Sequence, residues 1–156
     1  MVDQEKNKLN FDAIVKRYGK KEVLKNLTGG FPQAKITSLI GPNGAGKSTL
    51  LAIISRLIKQ DAGQVAFFEK ELSSYKSSEL AKKLSILKQS NHLELKLTVR
   101  DLVSFGRFPY CQGKLSELDW KKVDDAIAFS DLTALKDSYI DGLSGGQRQK
   151  AFISMI

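Results

Sequence analysis

The 156-residue sequence is poor in several residue types at once: it holds one cysteine, one tryptophan, one histidine and three prolines. A single thiol, Cys111, excludes an internal disulfide framework and fits a reducing compartment. Pro32, Pro42 and Pro109 stand singly, each expected at a loop, so no proline-rich tract or linker divides the chain, and no internal repeat or low-complexity segment is present. The longest unbroken apolar run, Leu50 to Ile54, falls far short of the roughly 20 residues that cross a bilayer. Met1 to Asn10 is polar and carries Asp3 and Glu5, without the apolar stretch behind a basic start that marks a secretory signal. What remains, 42% hydrophobic and 27% charged, is the composition of an ordinary globular domain.

Lysine and arginine outnumber the acids by 25 to 17, a net charge of +8. Such an excess suits nucleic acid, an anionic membrane surface or a well-solvated lysine-rich surface. The lysines are scattered. The densest cluster, Lys16, Arg17, Lys20 and Lys21, contains the single aromatic Tyr18 rather than a repeated basic and aromatic stripe. The solvated surface is therefore the reading, and no nucleic-acid partner is expected.

Hydrophobic periodicity outlines the elements. Leu9 to Val15 alternates as a half-buried strand, with Leu9, Phe11 and then Ala13 and Val15 on one face. Ile36 to Ile40 is a short β-branched run that predicts a strand buried on both faces. Leu50, Leu51, Ile54, Leu57 and Ile58 recur at helical spacing and predict a helix over Lys47 to Ile58. A strand (Gln64 to Phe67), a short helix (Ser77 to Lys83) and another strand (Leu84 to Leu87) should follow. Thr98 with Asp101 and Ser116 with Asp119 have capping-box spacing, opening helices over Val99 to Gly106 and Glu117 to Phe129. The last helical run is Arg148 to Ile156.

Gly41-Pro42-Asn43-Gly44-Ala45-Gly46-Lys47-Ser48 fits G-x-x-x-x-G-K-[ST] between the expected strand and helix, the context that this motif requires. A triphosphate needs many donors converging on a small volume, and glycines let the backbone curl with its N–H groups inward at a helix N-terminus. Lys47 would neutralise the β and γ phosphates, Ser48 would hold Mg²⁺, and Thr49 could donate to the α phosphate. About a hundred residues on, Leu143-Ser144-Gly145-Gly146-Gln147 precedes the last helical run, with Ser144 and Gln147 at capping-box spacing. Two glycines just after a cap cost about 1 kcal/mol each against alanine. Close approach of a second anion to bare backbone N–H groups would explain them.

Together GPNGAGKST and LSGGQ resemble the Walker A and signature motifs of the ATP-binding cassette (ABC) family, and the resemblance covers the whole chain. It implies that Tyr18 stacks on adenine, that Gln89 is the Q-loop glutamine touching Mg²⁺ and the attacking water, and that ATP and Mg²⁺ are the ligands. Thr98 to Tyr110 and the run into LSGGQRQKAFISMI look most like the ATPase subunits of importers for ferric siderophores, haem or cobalamin. Gln33-Ala34-Lys35 and Gly142 depart from the usual pattern at the start of the Walker strand and before the signature. The fold this implies is α/β: a P-loop core with an antiparallel β arm over residues 1–89, and a helical subdomain over 90–156 that carries the signature. Such a protein would be peripheral on the cytoplasmic face of the cell membrane, pairing with integral-membrane permease subunits and with a second ATPase subunit head to tail. A soluble ABC ATPase acting on nucleic acid or ribosomes, or a non-functional truncated copy, are the alternatives.

In the family an apolar strand ending in Asp-Glu follows the signature helix, and a switch histidine comes later. No run of four apolar residues ending in Asp-Glu occurs here, and the sole histidine, His92, precedes the signature and reads as a loop residue. The chain is expected to be truncated before the Walker B strand, to bind ATP without hydrolysing it, and to carry no catalytic residue. Ile36 to Ile40, lacking its neighbour, would keep unpaired backbone groups and leave the isolated chain only marginally folded.

Overall fold

The computed structural model describes residues 7–68, 70–87, 96–111 and 113–156, and the chain divides into two compact units, Met1–Ser77 and Ser78–Ile156. The expected boundary after Gln89 lies outside the described residues.

The first unit is built on an antiparallel sheet of order β2-β1-β3-β4, with β1 Asn7–Tyr18, β2 Lys21–Pro32, β3 Ala62–Phe67 and β4 Lys70–Glu71. Tyr18 pairs with Lys21, and Gly19 supplies the positive φ (59°) that a two-residue hairpin turn needs at its first position. The alternation expected along β1 holds for Leu9 and Phe11 and then slips. Ala13 takes φ 51°, the registers with both neighbours shift, and Ile14, not Ala13 or Val15, becomes fully buried. This is a β-bulge, one extra residue that moves the next side chain to the other face. Its backbone is provided for: Thr28 Oγ1 accepts from the Ala13 N–H at 3.0 Å and donates to Asp12 at 2.9 Å. Gly63, at φ 86°, lets β3 come close there, since a Cβ would run into the Ala13 carbonyl.

Helix α1 (Lys47–Ile54) packs Leu50, Ile53 and Ile54 into this unit. It is one turn shorter than the periodicity suggests. Arg56 adopts φ 58° and the Leu57 N–H returns to the Ala52 carbonyl at 2.8 Å while that of Arg56 bonds Ile53, a Schellman ending with arginine where glycine is usual. Leu57, expected on the buried face, is left exposed. The expected buried strand at Ile36 to Ile40 is likewise corrected: those residues carry no regular secondary structure, and Ile36 and Ile40 are 100% and 94% exposed. A central strand needs a ladder partner on each side, and the described residues supply none.

The second unit is helical. Helix α2 (Ser77–Ala81) starts at the division, and α3 (Val99–Ser104), α4 (Phe108–Cys111), α5 (Glu117–Phe129) and α6 (Gly145–Ser154) follow. Leu84 to Leu87, expected as a strand, has no ladder. Val99, Leu102, Val103, Val123, Ile127, Leu132, Ile140, Leu143, Ala151 and Phe152 form one core. The capping boxes read from the sequence close on α3, α5 and α6, through Thr98–Asp101, Ser116–Asp119 and Ser144–Gln147. A turn of tighter helix, Phe105–Arg107, replaces the end expected for α3, and Gly106 sits so close to the Met155 carbonyl that a Cβ has no room. Arg100 forks onto Asp124 through two bonds of 2.9 Å and lies 4.5 Å from the centre of the Trp120 ring. Among the described residues no helix is long and apolar enough to cross a membrane.

Asp119 joins two devices. Its carboxylate accepts from the Ser116 hydroxyl (2.6 Å) and N–H (3.0 Å) and from Arg107 Nε (2.9 Å), and the Ser116 bonds first, then Arg107, hold its pKa below the usual carboxylate value. The Arg100 fork lowers Asp124 in the same direction. A carboxyl depressed in the folded state adds stability above its unfolded pKa of about 3.9 and loses that contribution as pH falls through the lower folded value. Thermal melts should therefore show the helical unit weakening below about pH 4, and Asp119→Asn should lower the midpoint at neutral pH while shallowing the acid decline.

Candidate nucleotide site

The phosphate loop is shaped by two left-handed glycines, Gly44 at φ 81° and Gly46 at φ 86°. Alternation of backbone hand turns successive N–H groups to one side, the geometry of an anion nest. The two glycines serve different ends. Around Gly44 there is open space, so only its φ calls for glycine, whereas a Cβ on Gly46 would lie 2.6 Å from Leu24 Cδ2 and 3.2 Å from Val23 Cγ1 and from the Val23 carbonyl oxygen. Gly46 is thus wedged against β2 and buried, while Gly41 to Ala45 are exposed.

Gly46 is also the N-cap of α1 and offers no side chain to its first turn. The N–H groups of Lys47, Ser48 and Thr49 precede any intrahelical carbonyl, and the helix dipole adds partial positive charge there. Helices α3, α5 and α6 each spend a serine or threonine on the N–H of the third helical residue and an acid or amide on that of the cap; α1 has no such side-chain cap. Lys47 Nζ folds back onto the loop, donating to the carbonyls of Gly41 (2.7 Å) and Pro42 (2.9 Å). The lysine therefore lies folded on the loop itself, at its Gly41–Pro42 end. This donor set fits a polyphosphate: a cation, a bare helix N-terminus and glycine backbone on one exposed loop.

Ser48, exposed on the first turn of α1, is the described side chain suited to a magnesium ion; Gln89 and His92 lie outside the described residues. Among the described residues no cluster of three or more His, Cys, Asp or Glu could hold a metal unaided. Tyr18, in the same unit as the loop, is 53% exposed at the end of β1, with Lys16 Nζ 5.8 Å from its ring centre. A cavity of about 610 Å³ opens beside the C-terminal end of α1, lined by Ile53, Arg56, Leu57, Leu72, Tyr75 and Ser77 among others, and contains none of the expected site residues.

The signature residues lie in the helical unit. Ser144 caps α6, accepting from the Gln147 N–H at 3.3 Å, while Gln147 Oε1 accepts from the Ser144 N–H at 3.0 Å. Gly145 and Gly146 open the helix with open space where a Cβ would stand on either, among the described residues beyond their own helix backbone, and neither has positive φ. Among the described residues nothing calls for glycine at these two positions. Strand β2, whose Val23 and Leu24 back Gly46, escapes the periodicity of the sequence; the strand-turn signal Tyr18-Gly19-Lys20 was its available mark.

A glycine nest opening an uncapped helix, beside an antiparallel arm, and a helical unit that displays a serine-capped glycine pair make up a P-loop nucleotide-binding domain. Residues 24–156 match the family model described as ABC transporter, and the chain belongs to that family. It is 53% identical over 143 residues to the petrobactin import ATP-binding protein YclP of Bacillus subtilis (strain 168), covering 92% of this chain and 57% of that protein. To the petrobactin import ATP-binding protein FatE of Bacillus anthracis it is 48% identical over 148 residues, 95% and 59% of the two chains. The solved structure of cbiO1 from Clostridium perfringens, part of the ABC transporter complex cbiONQ, matches with TM-score 0.81 at 27% identity, over 96% of this chain and 61% of that one. The chain thus spans just under three fifths of these curated relatives. Domains of this family bind ATP.

The glycines give predictions of opposite sign. Gly46→Ala should destabilise the first unit by about 2 kcal/mol or more, combining left-handed strain with overpacking against Leu24. Gly145→Ala or Gly146→Ala should leave stability unchanged or raise it by about 0.4–1 kcal/mol, since an open helical glycine gives way to a better helix former. Urea unfolding of the three variants checks both.

Proposed function

We propose that the chain binds Mg·ATP through Gly41 to Thr49 and serves as the ATP-binding part of an importer for ferric siderophores or related iron compounds. Lys47 folded on the glycine loop of an uncapped helix is the observation that carries the nucleotide reading; the likeness to petrobactin import ATP-binding proteins supports the cargo class. Gly41, Pro42, Asn43, Gly44, Ala45 and Gly46 present backbone donors to the phosphates, Lys47 neutralises the β and γ groups, and Thr49 reaches the α group. Mg²⁺, when bound, offsets charge between the β and γ phosphates, with Ser48 as its ligand and Gln89 a second. Tyr18 gives the adenine ring a stacking surface. Ser144, Gly145, Gly146 and Gln147 face the γ phosphate on a second copy, so that two subunits close head to tail on two nucleotides. Permease subunits anchor the pair at the cytoplasmic face of the membrane and carry the cargo specificity. The names of the relatives favour import over the nucleic-acid or ribosome alternative.

Titration calorimetry tests this directly. Lys47→Ala should weaken ATP far more than adenosine, because Lys47 meets only phosphate; equal loss for both would remove the assignment. These 156 residues hold no run of four apolar residues ending in Asp-Glu to place a general base in line with the γ phosphate. Loss of such a base costs about 10²–10⁴-fold, so ATP turnover by this polypeptide should stay near background. A rate of about 1 s⁻¹ or more that vanishes in Lys47→Ala would contradict that.

A further inference from the structure

Arg148 is the fourth residue of α6, so its side chain leans back toward the helix start. There it reaches past the cap to the turn before it: Nε donates to the Ile140 carbonyl at 3.2 Å and Nη2 to the Asp141 carbonyl at 3.1 Å. That tight turn, Ile140–Gly142, leads directly into Leu143 and Ser144. Ile140 and Leu143 anchor it from within, 5% and 8% exposed in the helical core, while Gly142 between them has open space around it and donates its N–H to the Tyr139 carbonyl (3.2 Å). The backbone helps hold the turn, with the Ile140 N–H donating to the Leu97 carbonyl at 2.9 Å and the Leu143 N–H to the Ile140 carbonyl at 3.3 Å. A planar guanidinium gripping two successive carbonyls adds a hold on the peptide planes that lead into Ser144.

We infer that Arg148 is a positioning residue for the signature segment: by clamping the Ile140 and Asp141 carbonyls it sets the direction in which the Gly145 and Gly146 N–H groups face an approaching phosphate. The inference rests on the proposed head-to-tail closure. It accounts for a guanidinium spent on backbone beside a glycine pair that the described residues leave bare, and it separates Arg148 from the phosphate loop, which lies in the other unit.

Two readouts on the full chain distinguish the roles. Calorimetric ATP affinity per chain reports the phosphate loop and general folding; Mg·ATP-dependent self-association, followed by sedimentation equilibrium, reports the signature face. Arg148→Gln should leave ATP affinity within about twofold and weaken association about tenfold or more, as loss of charge-assisted hydrogen bonds implies. Arg148→Lys, which keeps the charge without the fork, should not restore association. Unchanged association in Arg148→Gln, full recovery in Arg148→Lys, or an equal fall of ATP affinity and association would each overturn the assignment. Absence of ATP-dependent association in the unsubstituted chain would instead overturn the head-to-tail reading, and this inference with it.

Discussion

At Gly46 the backbone turns left-handed with Leu24 packed where a side chain would begin, and the first turn of α1 starts from that residue without a cap. Packing and phosphate chemistry impose the same requirement on one Cα. The arm strand β2 fixes the loop from behind, and the missing side chain both admits that contact and leaves the helix N–H groups bare. A cap of serine or aspartate would take up the N–H of the third helical residue internally, as a serine or threonine does on α3, α5 and α6, and would compete with a phosphate for that donor. The arrangement costs local stability at α1 and concentrates an unmet hydrogen-bonding demand at one exposed spot.

The signature segment solves a related problem with different means. Its helix is fully capped by Ser144 and Gln147, so it stands without a ligand, and its bareness lies in the two following glycines. The phosphate loop is held by burial of a glycine, and the signature by buried flanks at Ile140 and Leu143 with Arg148 gripping the turn between them. The contrast fits one element that cradles a polyphosphate closely and another that meets it from outside.

Where local chemistry decides, the sequence was sufficient. Three capping boxes closed on the residues named for them, α5 kept its expected bounds, and the glycine loop opens α1. Where distant partners decide, it was not. Period-two alternation along β1 broke at Ala13 because Thr28 and Gly63, on two other strands, stabilise a bulge there. The apolar period past Ile54 ran on to Ile58, yet Arg56 in the left-handed region stopped the helix, a place where arginine gives no warning. Strand β2 went unread because its apolar residues are split by Lys25 and Asn26 and then by Gly29-Gly30. The role of Arg148 was invisible for a simpler reason: its partners are backbone carbonyls, which carry no residue identity.

Ile36 to Ile40 joins these threads. It is apolar and β-branched, as a doubly covered strand would be, yet it is exposed and has no ladder among the described residues. An apolar segment with open hydrogen-bonding groups is a site for pairing, with a proper neighbour or an improper one. Its position matters more than its exposure, because it runs straight into Gly41. On one side the loop is fixed by the packing of Gly46 against β2 and by α1; on the other it inherits whatever order Ile36 to Ile40 possesses. Lys47 bonds the Gly41 and Pro42 carbonyls, the two residues at that looser end. A strand partner for Ile36 to Ile40 would therefore do more than cover apolar surface: it would fix the end of the nest that Lys47 now helps to hold, releasing the lysine for phosphate with less ordering left to be done on binding.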